Sequence, residues 1–176
     1  MQKIYIDFDG VIMDTARVIK ELVDKSGLDL TSDEAFRDYI TGIGFKYIIE
    51  HSNHLNDSMK HINDLMKNES LDIKILTHVL NIEEAEEKIN FIRKYNKDVD
   101  IIIVPKNVDK SIAINPRGAI LIDDYTENLR RWKASGGIGV RFSLKRNGKG
   151  LFFAISSLDQ INEFLSNNCE FCPEGL

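Results

Sequence analysis

The chain has 176 residues, 43% of them hydrophobic and 29% charged, and a net charge of −5. A chain of that length and composition can bury a core of its own, as one domain or as one domain carrying an insertion. The acidic balance argues against binding a nucleic-acid polymer, which needs a basic stripe, and no stretch approaches the roughly 20 apolar residues of a membrane span.

The first apolar run is short and leads straight into acids, unlike a secretory leader, so the expected compartment is the cytoplasm. That run, KIYID (3–7), reads as a strand and opens the stretch DFDGVIMDT. Side chains alternate along an extended segment, so Asp7 and Asp9 project the same way. Gly10 lets the backbone turn away without a side chain in the path, and Asp14 adds a third acid.

Segments 15–27, 32–40 and 45–52 read as helices, the second with Ser32 as N-cap and Ala35 at N3. They make residues 15–54 a helical insertion, leaving 1–14 and 55–168 as the core and 169–176 as a tail. The loop TGIGF (41–45) carries two glycines and reads as a substrate-selecting loop or a hinge. Phe36, Tyr39, Phe45 and Tyr47 are the aromatics of the insertion, there to pack it or to stack on a ligand. Arg37, His51 and His54 read as solvated.

The spacing predicts a helix over 56–68, with Met59, Ile62, Leu65 and Met66 on one face. DIKILT (72–77) reads as a strand ending in Thr77. His78 follows and either lines a site or opens the next helix. Residues 82–96 read as a helix whose apolar face is Ile82, Ala85, Ile89 and Ile92. A strand at 99–105 is followed by Lys106, Asn107, Asp109 and Lys110, and one at 119–123 ends in Asp123 and Asp124. A helix over 126–136 and a weaker strand at 137–142 come next, and SLKRNGKG (143–150) reads as a hairpin turn. Cys169 and Cys172 supply only two of the four ligands of a structural zinc site and read as incidental tail thiols.

Strands alternating with helices predict an α/β fold, a doubly wound parallel sheet with a small helical cap insertion. The strands are apolar throughout, as strands covered on both faces are. Ligands of such sheets bind beyond the carboxyl ends of the strands. Asp7, Asp9, Thr77, His78, Lys106, Lys110, Asp123 and Asp124 all follow strands there. Clustered carboxylates repel unless a cation joins them, and oxygen ligands with open positions suggest Mg2+.

DFDGVIMDT resembles the first motif of the haloacid dehalogenase (HAD) superfamily. ILT (75–77) resembles the second, Lys110 or Lys106 fits the third, and LIDDYTEN (121–128) resembles the acidic fourth. The resemblance runs in the family's order from residue 4 to about 142. It implies a Rossmann-like core with a C1-type cap between the first two motifs. It also implies a magnesium-dependent phosphatase acting through an aspartyl-phosphate. In that scheme Asp7 is the nucleophile and Asp9 the acid and base. Thr77 donates to a phosphoryl oxygen, and Lys110 neutralises charge. Magnesium is expected on Asp7, the Asp9 carbonyl and Asp124, with Asp123 orienting the lysine or a metal-bound water. Gly10, Thr77, His78 and Phe45 are expected at the substrate. Dehalogenases of the family lack the second aspartate, because halide departure needs no proton, so Asp9 favours phosphoryl chemistry. The DD pair, the small cap and the tryptophan-bearing helix are similar to 5'(3')-deoxyribonucleotidase-type members. The expected partner is therefore a small phosphorylated metabolite, with a nucleoside monophosphate as the leading guess. A phosphomutase, a receiver-like module and a silent phosphate-binding protein are the alternatives.

Overall fold

A computed structural model of the chain describes residues 1–145 and 150–167. Cys169, Cys172 and the tail around them lie outside the described residues.

Six strands form one sheet: β1 (Gln2–Ile6), β2 (Leu71–Val79), β3 (Asp100–Pro105), β4 (Ile120–Asp123), β5 (Ile138–Phe142) and β6 (Phe153–Ile155). Their order is β3-β2-β1-β4-β5-β6, and every pairing is parallel. Alternation within the strands feeds two cores. Ile4 and Ile6 of β1, Ile73 and Ile75 of β2 and Ile120 and Ile122 of β4 pack on one face. Tyr5, Leu76 and Leu121 pack on the other.

The first face is covered by helices α4 (Ser58–Leu65), α5 (Ile82–Tyr95) and α8 (Ile161–Asn167), which contribute Met59, Ile62, Phe91, Ile92, Ile161 and Phe164. The second is covered by α7 (Thr126–Ala134), where Trp132 is fully buried, and by Val108 and Ile114 on either side of α6 (Lys110–Ala113). Its indole Nε1 donates to the Ala119 carbonyl at 3.0 Å, so the large apolar ring has its one polar atom satisfied.

Between β1 and β2 lie α1 (Thr15–Ser26), α2 (Asp33–Ile43) and α3 (Phe45–His51). Ser32 caps α2 by accepting from the Ala35 amide at 3.1 Å. Val18, Ile40, Phe45 and Ile48 form a separate small core for these three helices, with Phe36, Tyr39 and Leu80 packed against it. Tyr47 is exposed and stacks on His51, with ring centroids 3.8 Å apart.

Four expectations change. β5 and β6 are not the two strands of a hairpin, because β6 runs parallel to β5, with Phe142 opposite Ile155, while residues 146–149 between them lie outside the described residues. That direction buries Ile155 beside Val140 and Phe142 and hands the chain to α8, which covers the same core. His78 belongs to β2 rather than to a helix start. His54 is half-buried, edge-on to the Phe91 ring with centroids 5.6 Å apart, and burial lowers its pKa. The buried side of α5 is Glu84, Lys88, Phe91 and Ile92, whereas Ile82 is 78% exposed. The helix is turned because its inward stripe carries a charge pair that apolar periodicity does not register.

Candidate active site

The carboxyl ends of β1, β2 and β4 and the loop after β3 meet at one cavity of about 260 Å³. Its lining includes Asp7, Asp9, Thr15, His78, Glu84, Lys106 and Asp124, with Ile19, Phe36, Phe45, Leu80 and Tyr125 as its apolar part.

Asp7 lies one residue beyond β1, held by its amide donating to the Ile122 carbonyl at 2.9 Å. Its Oδ1 accepts from the Phe8 amide at 2.8 Å and lies 2.9 Å from Lys110 Nζ. The second carboxylate oxygen is engaged by neither. Residues 8–13 then turn tightly, the Ile12 and Met13 amides both donating to the Phe8 carbonyl. Gly10 sits in this turn at φ +71°, and a Cβ there would fall 2.1 Å from Asp124 Oδ2. Gly10 does not line the cavity, and its amide is spent on the Met13 carbonyl at 2.8 Å. In this arrangement the residue makes room for Asp124.

Lys110, the first residue of α6, bridges Asp7 and Asp123, its Nζ 2.8 Å from Asp123 Oδ2. Burial works to lower its pKa, and the two carboxylates outweigh that and raise it. Lys106 lines the cavity but is exposed and makes no such pair among the described residues. Asp123 also accepts from the Tyr125 amide and from Asn128 Nδ2, so its oxygens are occupied by protein donors.

The oxygens of Asp7, Asp123 and Asp124 come within 4.8 Å of one another. Burial, together with the neighbouring acids and against the pull of Lys110, pushes the Asp7 carboxyl up to about 8. Burial and Asp123 push Asp124 up to about 7. Burial first, and the neighbouring acids with it, disfavour the charged carboxylates, a condition that a divalent cation relieves. The donor set of hard oxygens with Asp7 and Asp124 facing a cavity fits Mg2+.

Asp9 is held on both oxygens. Thr15 Oγ1 donates to Oδ1 at 2.7 Å, and Lys88 Nζ donates to Oδ2 at 2.5 Å. Burial would raise its pKa, but the Lys88 charge and the two hydrogen bonds hold it below the usual carboxylate range.

Thr77 is 0% exposed and does not line the cavity. Its hydroxyl accepts from Lys88 Nζ at 3.2 Å and donates to the His78 carbonyl at 3.3 Å. His78 lines the cavity, and its Nε2 donates to the Val108 carbonyl at 2.9 Å. Burial, with Lys110 nearby, lowers its pKa. Phe45 is 2% exposed, at once a core residue of the insertion and part of the cavity wall.

Lys88 and Glu84 were not legible as site residues. Their i, i+4 spacing in EEAEEK is the signal, but the same spacing decorates many solvated helices. The one further cue is that Phe91 and Ile92 continue the Glu84–Lys88 stripe.

No protein-family model matches the sequence, and a search of curated proteins gave no match. Solved structures do match over nearly the whole chain. A phosphonoacetaldehyde hydrolase-like protein from Oleispira antarctica superposes with a TM-score of 0.69 at 9% identity, covering 99% of this chain and 95% of that one. A hydrolase from Pseudomonas syringae gives 0.63 at 16% identity, covering 94% and 99%. A HAD phosphatase from Thermococcus onnurineus gives 0.57 at 13%, covering 94% and 98%. At such identities the likeness is one of fold, and the fold is the α/β Rossmann-like one shared by HAD-superfamily hydrolases. No described helix is long and apolar enough to cross a membrane.

Proposed function

We propose that the chain is a magnesium-dependent phosphatase of the HAD type, hydrolysing a small phosphomonoester through a phosphoryl group carried on Asp7. The observation that carries this reading is the pairing of Asp7 with Lys110 at 2.9 Å beside Asp123 and Asp124, at the carboxyl edge of a parallel sheet. A nucleophilic carboxylate needs one free oxygen, a fixed orientation and a nearby cation. Asp7 has its Oδ1 anchored by the Phe8 amide and Lys110, which leaves the other oxygen for attack.

Asp7 and Asp124 would hold the magnesium ion together with the Asp9 backbone carbonyl. Asp123 is committed to orienting Lys110, Asn128 and the start of α7. Bound there, the ion would supply positive charge against the phosphoryl oxygens. The protein does the rest. Lys110 neutralises Asp7 as the phosphoryl group approaches. Asp9, held charged by Lys88 in the free site, must take up a proton as the ester binds; it would pass that proton to the leaving oxygen and then take one from the water that releases phosphate.

The cavity bears on the substrate. Its volume of about 260 Å³ sits below the usual span of ligand pockets, which suits a small ester. Phe36, Phe45, Ile19, Leu80 and Tyr125 give it an apolar wall away from the acids. A flat, partly apolar leaving group fits that wall, and a nucleoside monophosphate is one compound of this kind. The test is a phosphatase screen over a broad panel of phosphorylated metabolites, with Mg2+ and with a chelator. Phosphate release that requires Mg2+ supports the reading, and no release from any compound would end it.

A further inference from the structure

Among the described residues, Lys88 is the most completely buried cation that the phosphatase scheme leaves unused. It comes from the second turn of α5, is 0% exposed, and does not line the cavity. Its Nζ lies 2.5 Å from Asp9 Oδ2, 2.7 Å from Glu84 Oε1, 2.8 Å from the His78 carbonyl and 3.2 Å from Thr77 Oγ1. The ring of Phe8 lies on one side at 5.4 Å, and that of Phe45 is 6.0 Å away. Burying an ammonium is costly unless its protons are all used, and here they are. An apolar side chain of the same length would fill the space at lower cost. The placement therefore calls for a reason beyond packing.

We propose that Lys88 is a positioning residue of the reaction, holding the Asp9 carboxylate in place from behind the site. This rests on the phosphatase reading. Thr15 takes one Asp9 oxygen and Lys88 the other, so the plane of the carboxylate is fixed from two directions. Glu84 anchors the ammonium, and its other oxygen accepts from the Leu80 amide at 2.6 Å, which ties the lysine to the end of β2. The chain so joins the first motif, the second motif and α5 through one cation. Asp9 is the group whose aim matters most when a poor leaving group departs, because the proton must reach the leaving oxygen as the bond to phosphorus breaks.

The test compares an alkyl phosphate with p-nitrophenyl phosphate, in steady state and in single turnover, for the wild-type chain, Lys88→Met and the double variant Lys88→Met/Glu84→Gln. The double variant removes the cation without leaving the Glu84 carboxylate buried alone, and it decides the matter should the single variant fail to fold. The expected result is a fall in kcat for the alkyl ester of about 10- to 100-fold, with KM within about threefold. Phosphoenzyme formation from p-nitrophenyl phosphate, whose leaving group needs little protonation, should fall by less than about fivefold. A folded variant that loses both substrates in parallel, or neither, overturns the assignment. A wild-type chain that turns over no phosphomonoester overturns the phosphatase reading itself, and the role of Lys88 with it.

Discussion

Gly10→Ala tests whether the first turn after β1 exists to make room for Asp124. The added Cβ would lie 2.1 Å from Asp124 Oδ2 and 2.4 Å from its Cγ. Ordinary contact is near 3.4 Å, so the carboxylate must retreat by more than about 1 Å. A misplacement of that size in a site of this kind costs about 100-fold in rate. The backbone adds its own penalty, since φ is +71° and a non-glycine residue there costs about 1–2 kcal/mol. For a chain of this size that lowers Tm by about 2–8 °C. Gly118→Ala separates the two effects, because Gly118 has φ +70° and a Cβ there would meet nothing within 4 Å. Both variants should lose similar Tm, but only Gly10→Ala should lose turnover and need more Mg2+ to reach half-maximal rate. Melting curves and Mg2+ titrations of activity on the three proteins give the answer. A Gly10→Ala protein with wild-type rate and wild-type Mg2+ demand would refute the placement of Asp124 at the metal.

Asp7→Asn should keep the fold and drop turnover below about one-thousandth, since an amide is a poor nucleophile; a purified, folded variant with wild-type-like kcat would contradict this. Metal-free stability should fall as pH rises. Asp7 is pushed up to about 8 and Asp124 to about 7 from an ordinary value of 3.8, so the folded chain holds more protons than the unfolded one across that window. Their contribution is full below 3.8 and lost towards 8. Mg2+ should flatten the decline, and a chelated protein whose Tm climbs from about pH 5 to about 8 would count against the reading. Phe45→Ala should both lower stability by about 3–5 kcal/mol, as loss of a buried ring does, and change the ranking of substrates. Urea unfolding alongside kcat/KM for two esters reads both; a melting shift with unchanged ranking would make Phe45 a packing residue alone.

The sheet was legible because its strands are buried on both faces and so read as unbroken β-branched runs: KIYID, DIKILT, VDIIIVP and AILID each correspond to a strand. β6 was harder, being three residues long and separated from β5 by a polar glycine-containing stretch that looks like a turn. Turn composition says where the chain bends but not in which direction the next strand runs. The acids at the ends of β1 and β4 were visible through their order and spacing. Lys88 and Glu84 were not, because burial of a charge is decided by what lies opposite it, and Asp9 lies 79 residues away in sequence. The same holds for Thr77. The sequence places it at the end of a strand, but only the fold reveals that its hydroxyl is covered by the Lys88 ammonium.

The most direct test of the central claim is to catch the phosphoryl group on Asp7. Asp9→Asn, which should slow release of the intermediate, is mixed with p-nitrophenyl phosphate and Mg2+ and quenched in acid within one turnover. Intact-mass analysis should show one added phosphoryl group, removable by hydroxylamine as an acyl phosphate is, and peptide mapping should place it on Asp7. A label on any other residue, or a burst of p-nitrophenol with no label on the protein, would contradict the account.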